Sequence, residues 1–392
     1  MTRTLLAVML VVGIVAAFTL PHALAQSGDR TDRMRQRWEN MPEEKRERAM
    51  AMAEKGRMFS KCTYLGNGTV QSRFVQFHYV KETGQIHDLT VRTDRNETTR
   101  FFSEIEPTPF SATKNPDVMG AVFRHQADNL TIRGHCNPTA VFGWWNHNGT
   151  HAITFTLAGN ATASAVNGTT NEVRVSVGST HGHILASGNG TIVLVGQDVT
   201  VTLGPNDKAM FRAHPNMGQA KTLHEQNRAF RMAKLGAVVN LVNVDGDAVT
   251  DSEDVDVETE AQEVSHGHVK LVARGNVHGN RVIFLTVDSE TLDVHAIARI
   301  HVTVGGAAAA NATNASAVQD AMGAAVFVTE TDGSVQLIIN VPHFSDQTIE
   351  VQQAGSTGGA GASGGETKTG TPGFGLVGLL VALVVVAAVR RR

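Results

Sequence analysis

Apolar and polar residues alternate with a period of two along most of the chain from Thr63 onward. Segments such as HAITFTLA, NEVRVSVG, GTIVLVG and DVTVTLG are short, rich in valine and threonine, and separated by glycine or asparagine. Alternation of this kind predicts β-strands with one buried face, joined by tight turns. Closely spaced strands favour a mainly β fold with one or two antiparallel sandwich-like domains.

Two segments depart from this period and predict helices. Residues 26–60 are charged, with Trp38 and several methionines on a discontinuous apolar face, which predicts an N-terminal helical segment. Residues 215–236 predict one internal helix that ends at Gly236. Its apolar residues near helical spacing are Leu223, Phe230 and Leu235. A further short helix is predicted around residues 314–322.

These patterns predict a linear organisation of the chain between its two ends. A β-rich region precedes the internal helix, and strands resume after it at AVVNLVNV, HVKLVARG, NRVIFLTV and HAIARIHVTV. The predicted units are a signal peptide at 1–25, the helical segment at 26–60, β-rich domains at 61–214 and 237–352, and a Gly/Ser/Thr-rich tether at 353–371.

Composition narrows the class of protein without naming a reaction. The 392 residues are 42% hydrophobic and carry 34 basic against 37 acidic side chains, a formal charge of −3. These values exclude a multi-span membrane protein and a strongly basic nucleic-acid binder, so we expect no nucleic-acid partner. The motifs G-x-S-x-G, H-E-x-x-H and S-x-x-K do not occur in a fitting context, which predicts a non-enzymatic protein.

The N-terminus has the three parts of a secretory signal. Arg3 supplies the positive charge, Leu5 to Leu20 is a nearly unbroken apolar run, and Ala23-Leu24-Ala25 offers small residues for a signal peptidase. We therefore expect an exported chain that begins at Gln26. An uncleaved anchor helix is the alternative, and it would also export the rest of the chain.

The C-terminus has a tripartite tail after the tether. Pro372, Gly373 and Phe374 precede an apolar run from Gly375 to Val389, and the last three residues are arginines, Arg390, Arg391 and Arg392. The run of about 16 apolar residues is short for a membrane-spanning helix, and the arginines favour a cytoplasmic end.

This tail resembles the PGF-CTERM sorting signal of archaeal surface proteins. The resemblance covers only residues 372–392. It implies that an archaeosortase removes the helix and joins the new C-terminus to a membrane lipid, on the outer face of the cytoplasmic membrane. An ordinary single-pass transmembrane anchor is the alternative.

Two cysteines, Cys62 and Cys136, lie in the exported part of the chain. In an oxidising compartment an isolated pair predicts one disulfide. Free thiols, or a metal site that uses a cysteine and a histidine, are the alternatives.

Asn-X-Ser/Thr sequons are frequent, and all fall between the two processing sites. They predict an N-glycosylated surface with these asparagines on exposed loops or strand faces. The nine asparagines are Asn67, Asn96, Asn129, Asn148, Asn160, Asn167, Asn189, Asn311 and Asn314.

Histidines form two His-x-His pairs, His181 with His183 and His266 with His268, within similar sequences 85 residues apart. In a strand, positions i and i+2 face the same side, so each pair could present two imidazoles to zinc or copper. The alternative is that they are histidines of turns and strand edges. His295 is expected to share one strand with His301.

Two other patterns could bind a ligand. An acidic stretch could supply oxygen ligands to calcium, although an EF-hand loop does not fit, and a solvated charged strand is the alternative. Its residues are Asp245, Asp247, Asp251, Glu253, Asp254, Asp256 and Glu258. Trp144 and Trp145 beside His147 could form a platform for a sugar or partner, or could anchor a core.

Together these observations predict a non-enzymatic, N-glycosylated, lipid- or membrane-anchored archaeal surface protein with a structural, adhesive or interaction role. The expected partners are signal peptidase, archaeosortase, membrane lipid, and envelope proteins or glycans. No cofactor is expected, and zinc, copper or calcium are the metals that the patterns could bind. The alternative function is a metal- or ligand-binding ectodomain that uses the His-x-His strands.

Overall fold

The computed structural model describes residues 62–354, apart from 93–96, 120, 128, 137–139, 215–219, 245–246, 276, 332 and 344–345. All of the described residues belong to one compact unit. The predicted signal peptide, the helical segment 26–60, the tether beyond Ala354 and the tail 372–392 lie outside the described residues.

Strands β1–β16 form two eight-stranded antiparallel sheets, A and B. In spatial order, sheet A contains β1 Thr63–Tyr64, β2 Thr69–Gln71, β3 Val75–Val80, β4 Gln85–Arg92, β5 Thr98–Thr108, β10 His151–Leu157, β15 Asp198–Leu203 and β14 Thr191–Val195. Sheet B contains β11 Thr162–Ala165, β12 Glu172–Val177, β13 Thr180–Ala186, β16 Lys208–His214, β9 Ala140–Asn146, β8 Leu130–Cys136, β7 Val122–Gln126 and β6 Asp117–Met119.

Strands β17–β27 form sheets C and D, with parallel pairing at β17–β21 and β24–β25. Sheet C contains β18 Asp247–Asp254, β17 Leu235–Val244, β21 Arg281–Val287, β26 Ser334–Val341, β25 Ala325–Thr331 and β24 Ala310–Asn311. Sheet D contains β19 Glu258–Ser265, β20 His268–Arg274, β27 Gln347–Gln353, β22 Ile300–Val304 and β23 Ala307–Ala308.

Sheets A and B enclose one core, and sheets C and D enclose another; we call these pairs the first and second sandwich. The first core is rich in aromatic side chains, among them Phe102, Phe211 and Trp144. The buried residues of the second core are alanine, valine, leucine and isoleucine only. The mainly β, antiparallel fold expected from the alternating pattern is confirmed, as in β10, where every second residue is buried.

Three helices occur in the described part of the chain. They are α1 Ala220–Arg231, the 3₁₀ helix η1 Val294–Arg299, and α2 Ala315–Asp320. The short helix expected near residues 314–322 is confirmed as α2, whose N-cap is Asn314. The expected strand through His295 and His301 is wrong at its start, because His295 lies in η1, where its backbone N–H donates to the side chain of Asp293.

The internal helix is also shorter than predicted. It ends at Arg231, and Leu235 and Gly236 lie in strand β17 rather than at the helix end. Ala233 takes the left-handed conformation, with φ of 52°. The N–H of Ala233 donates to the carbonyl of Phe230, and the N–H of Lys234 donates to the carbonyl of Ala229. This is the Schellman pattern that ends helices, here with alanine where glycine is usual.

Candidate functional site

The outer faces of sheets B and C meet in a third apolar cluster, which we call the junction. Sheet B contributes a leucine, a methionine and a valine, and sheet C contributes three aliphatic residues and a phenylalanine. Helices α1 and α2 and the segment between β18 and β19 add the rest. Its buried members are Val141, Leu185, Met210, Ala229, Phe230, Leu235, Val255, Val282, Phe284, Ala315, Val318 and Ile338. The junction is therefore the place where the two sandwiches are held together.

Arg212 of β16 lies fully buried at this junction, with 0% exposure. Its guanidinium donates from one nitrogen to both carboxylate oxygens of Glu253 in β18, each at 2.9 Å, and from another to Gln226 of α1 at 2.8 Å. One arginine of the first sandwich thus binds a strand of the second sandwich and the helix between them. Such a desolvated ion pair is specific in geometry, because only the correct docking brings both acceptors to the guanidinium. Its Nε has no hydrogen-bond partner among the described residues.

Asp256 forms a second charged contact across the junction. Its carboxylate accepts from the ammonium of Lys208 in β16 and from Arg281 Nε in β21, the latter at 2.8 Å. Burial lowers the pKa of Lys208, and the charge of Asp256 opposes that change. The carboxylate is partly desolvated, and its charge is paired with one cation from each sandwich.

The residues between these two acids are held as well. Trp145 donates from Nε1 to the carbonyl of Val255 at 3.0 Å, and Arg133 donates to the carbonyl of Asp254 at 2.9 Å. The Arg133 guanidinium also lies over the Trp145 ring, 4.8 Å from its centroid. Residues 253–256 are therefore bound one after another by side chains of sheet B.

The acidic stretch that could supply ligands to calcium or form a solvated charged strand makes other contacts in its described part. Glu253 and Asp256 pair with arginine and lysine, and Asp254 accepts from the hydroxyl of Thr259 at 3.1 Å. Asp245 lies outside the described residues, Asp247 and Asp251 lie in β18, and Glu258 begins β19. Sequence reasoning missed the junction because the basic partners in sheet B lie 41 and 48 residues away along the chain.

Glu172 of β12 is the centre of a further buried polar group, with 4% exposure. Its carboxylate lies 2.8 Å from His183 Nδ1, 3.0 Å from Arg231 Nε and 3.3 Å from Asn227 Nδ2. Burial would raise the pKa of Glu172, but the hydrogen bond from His183 and the charge of Arg231 lower it below its usual value. The ionised carboxylate therefore connects α1 to sheet B through Asn227 and Arg231.

The first histidine pair shares one face of β13, as the alternation predicts. His183 binds Glu172, and His181 Nδ1 lies 3.1 Å from the hydroxyl of Ser176. Burial, with Arg174 nearby, lowers the pKa of His181. Each imidazole thus has a hydrogen-bond partner from the neighbouring strand.

The second pair does not have the strand geometry that binding of one metal through positions i and i+2 would need. His266 lies in the turn before β20 and bonds the carbonyl of Glu290 at 2.9 Å, whereas His268 begins the strand and lies 3.0 Å from Glu350. Gly267 between them has a φ of 74°, which breaks the i, i+2 relation. The two pairs lie in different sheets, and residues 62–354, where described, contain no group of three His, Cys, Asp or Glu that could hold a metal.

The two tryptophans serve separate cores. Trp144 is buried in the first sandwich against Phe155, with ring centroids 5.2 Å apart, and Trp145 is buried at the junction. Neither ring offers the exposed platform that one interpretation of the sequence required. His147 is exposed, and its Nε2 lies 2.8 Å from the hydroxyl of Thr131.

Cys62 and Cys136 are both buried, and their sulfur atoms lie 2.7 Å apart. Cys62 precedes β1 of sheet A and Cys136 ends β8 of sheet B, so a bond would join the two sheets of the first sandwich. The hydrogen bond with Cys62 and burial raise the pKa of the Cys136 thiol. The disulfide remains a prediction, now supported by proximity.

Every described sequon asparagine is exposed. Asn96 lies outside the described residues. The exposed set is Asn67, Asn129, Asn148, Asn160, Asn167, Asn189, Asn311 and Asn314. Asn314 caps α2, because its Oδ1 accepts from the N–H of Ala317. Glycosylation modifies the side-chain nitrogen, so Oδ1 could still accept this hydrogen bond.

No helix among the described residues has the length and apolarity needed to cross a membrane. The sorting-signal residues Pro372, Gly373, Phe374, Arg390, Arg391 and Arg392 lie outside the described part.

No protein-family model matches the chain, and no curated protein matches it. Among solved structures it is similar to a family 81 glycoside hydrolase from Clostridium thermocellum, with a TM-score of 0.29, 10% identity and coverage of 74% of this chain and 35% of that one. It is also similar to a YidC insertase, with a TM-score of 0.29, 13% identity and coverage of 44% and 47%. The chain spans less than half of either structure, and neither likeness carries an argument about function.

The fold and the junction define the class: a protein whose described part consists of two β-sandwiches joined face to face by buried ion pairs.

The ion pair at the centre of the junction yields a test by paired substitutions. Arg212→Met or Glu253→Leu alone should lower the free energy of unfolding by about 3–5 kcal/mol, because each leaves a charge without its partner. The double variant should lose less free energy of unfolding than either single variant, because neither charge is then left without a partner. Urea denaturation measures all three.

Asp320→Asn is the matched control, because Asp320 is 57% exposed in its pair with Arg228 and its loss should cost at most about 1 kcal/mol. If the double variant loses as much free energy of unfolding as the two single variants together, Arg212 and Glu253 are not coupled.

The cysteine pair yields a second prediction. Exported protein that is unfolded in denaturant without reductant should take up no alkylating reagent, because both sulfurs are in a disulfide. The bond closes a loop of about 75 residues and should stabilise the fold by roughly 4 kcal/mol. Cys62→Ser is the control, since it leaves Cys136 free to react, and labelling of both cysteines in the unaltered chain would refute the bond.

Proposed function

We propose that this chain is an exported, N-glycosylated archaeal surface protein, anchored through a lipid at its C-terminus, with a structural, adhesive or interaction role at the envelope. The observation that carries the proposal is the tail, in which Pro372-Gly373-Phe374 precede a short apolar run and three terminal arginines. The signal-like segment at 1–25 points to the same compartment.

Three features of the described residues support this assignment. Eight sequon asparagines are exposed, most of them at turns of the first sandwich, where oligosaccharides would extend into solvent. The two cysteines lie buried within reach of a bond that only an oxidising compartment favours. The junction joins both sandwiches through buried ion pairs into one compact unit, which suits a structural role.

The proposed role does not require a catalytic centre. The buried ionisable groups at the junction are paired with one another across the two sandwiches, as Arg212 is with Glu253 and Lys208 with Asp256. Charges placed in this way hold elements together rather than act on a substrate. The surface that remains available to envelope proteins or glycans is the outer part of the sandwiches and their turns.

Processing of the tail is the direct test. Protein extracted from membranes of an archaeal host should end near Pro372 and carry the added mass of a lipid, as read by intact mass spectrometry. A variant with alanine in place of Pro372, Gly373 and Phe374 should instead keep Arg392. An intact arginine terminus on the unaltered protein in the membrane fraction would contradict the proposal.

A further inference from the structure

Strand β14 is an apolar strand at an open sheet edge. It pairs with β15 on one side only and has the sequence TIVLV, without a charge or a proline. Val193 is 56% exposed, Val195 is 70% exposed and Leu194 is 39% exposed. Its pairing with β15 has no bulge, so the free edge is regular and able to accept another strand.

The other seven edge strands of the described sheets are protected in ways that β14 is not. Strands β1, β23 and β24 have two residues each, β6 has three, and β11 has four small or polar residues. Strands β18 and β19 are acidic, and β19 also carries a register shift. Short length, charge and irregularity are the usual devices against strand pairing.

The backbone pattern identifies which groups are free at this edge. The carbonyl of Gln197 accepts from the N–H of Leu157 in β10, so Gln197 faces away from β14. Successive residues of a strand face opposite sides, so Asp198 and Thr200 bond β14 at Val195 and Val193, their register partners. The N–H and C=O groups of Ile192 and Leu194 therefore point to the open edge.

Outside the described residues, the sequence has no alternating apolar segment suited to cover β14 apart from the apolar runs near its two ends. Residues 26–61 are densely charged and lead into β1, which lies at the opposite edge of the same sheet. Residues 355–371 are mainly glycine, serine, threonine and alanine, without alternation. The apolar runs at 5–20 and 375–389 are the ones that processing removes, and this step rests on the proposed function.

We propose that a second copy of this chain covers the edge, with the two β14 strands paired antiparallel about a two-fold axis at Val193. In this register Val193 lies opposite its own copy, and Ile192 lies opposite Leu194, so the free backbone groups of both residues are paired. All side chains that meet are uncharged, which removes the like-charge repulsion that a two-fold axis would otherwise impose. The exposed Asn189 falls beyond the paired residues, so its glycan can remain.

Cysteine cross-linking tests both the contact and its register. Val193→Cys places two thiols on the axis, with Cβ atoms about 5 Å apart, and mild oxidation with diamide should give a covalent dimer on a non-reducing gel. Val195→Cys is the matched control on the same face, because its two copies would lie roughly 13 Å apart along the strands and should not cross-link. Neither change touches the sequon at Asn189.

The full processed protein in detergent provides the second measurement. Sedimentation should show a monomer–dimer equilibrium that shifts with concentration, and Val193→Lys should abolish the dimer because it places two like charges on the axis. Equal cross-linking of both cysteine variants, or a monomer at every concentration, overturns the proposal. A dimer that forms only in the Asn189→Gln variant also overturns the proposal, because the glycan at Asn189 would then cover the edge in the unaltered protein.

The intact mass of the same sample reports processing separately. A correctly processed protein that fails to cross-link contradicts the dimer and leaves the proposed function standing.

Discussion

The described structure depends on the burial of Arg212 between the two sandwiches. A guanidinium with no exposed surface is costly unless each of its neighbours is placed to receive it. Here both carboxylate oxygens of Glu253 accept from one guanidinium nitrogen, and Gln226 of α1 accepts from another. Strand β16, strand β18 and helix α1 must therefore all be in position for any of them to be stable there.

The junction adds buried surface to the second sandwich. The first sandwich has its own aromatic interior and two large sheets, whereas the second is smaller and purely aliphatic inside. Residues of sheet B and of helices α1 and α2 cover part of sheet C, including Phe284 of β21. The second sandwich thus gains burial from its neighbour, and the ion pairs fix the orientation in which that burial occurs.

The sequence predicted those elements that local chemistry determines. The period-two alternation identified strands such as β10, β12 and β15, and Asn314 lies where a helix was expected to begin. The end of the internal helix was predicted too late, at Gly236, because a glycine after apolar residues resembles a helix stop signal. The helix ends at Arg231, and Ala233 takes the left-handed conformation that terminates it. A glycine next to an apolar run does not reveal whether it ends a helix or lies in the following strand.

The candidate site was less predictable, because it is made by contacts between distant parts of the chain. The acids at 253–256 were recognisable as a cluster, but nothing local indicated that Lys208, Arg212 and Arg281 would meet them. His183 was recognisable as part of a pair, but its binding to Glu172 depends on the hairpin of β12 and β13. Charge and histidine patterns indicate that a polar contact exists, and only the fold selects the partner.

The junction should make the two sandwiches one cooperative unit, and two optical probes can test whether it does. In a Trp38→Phe variant the remaining tryptophans are Trp144, in the core of the first sandwich, and Trp145, which contacts Val255 at the junction. Fluorescence therefore follows the first sandwich and its contact with the second, whereas circular dichroism follows the strands of both. If the sandwiches unfold together, the two urea unfolding curves should coincide. A second dichroism transition without a fluorescence change would show that the sandwiches unfold independently and would contradict this expectation.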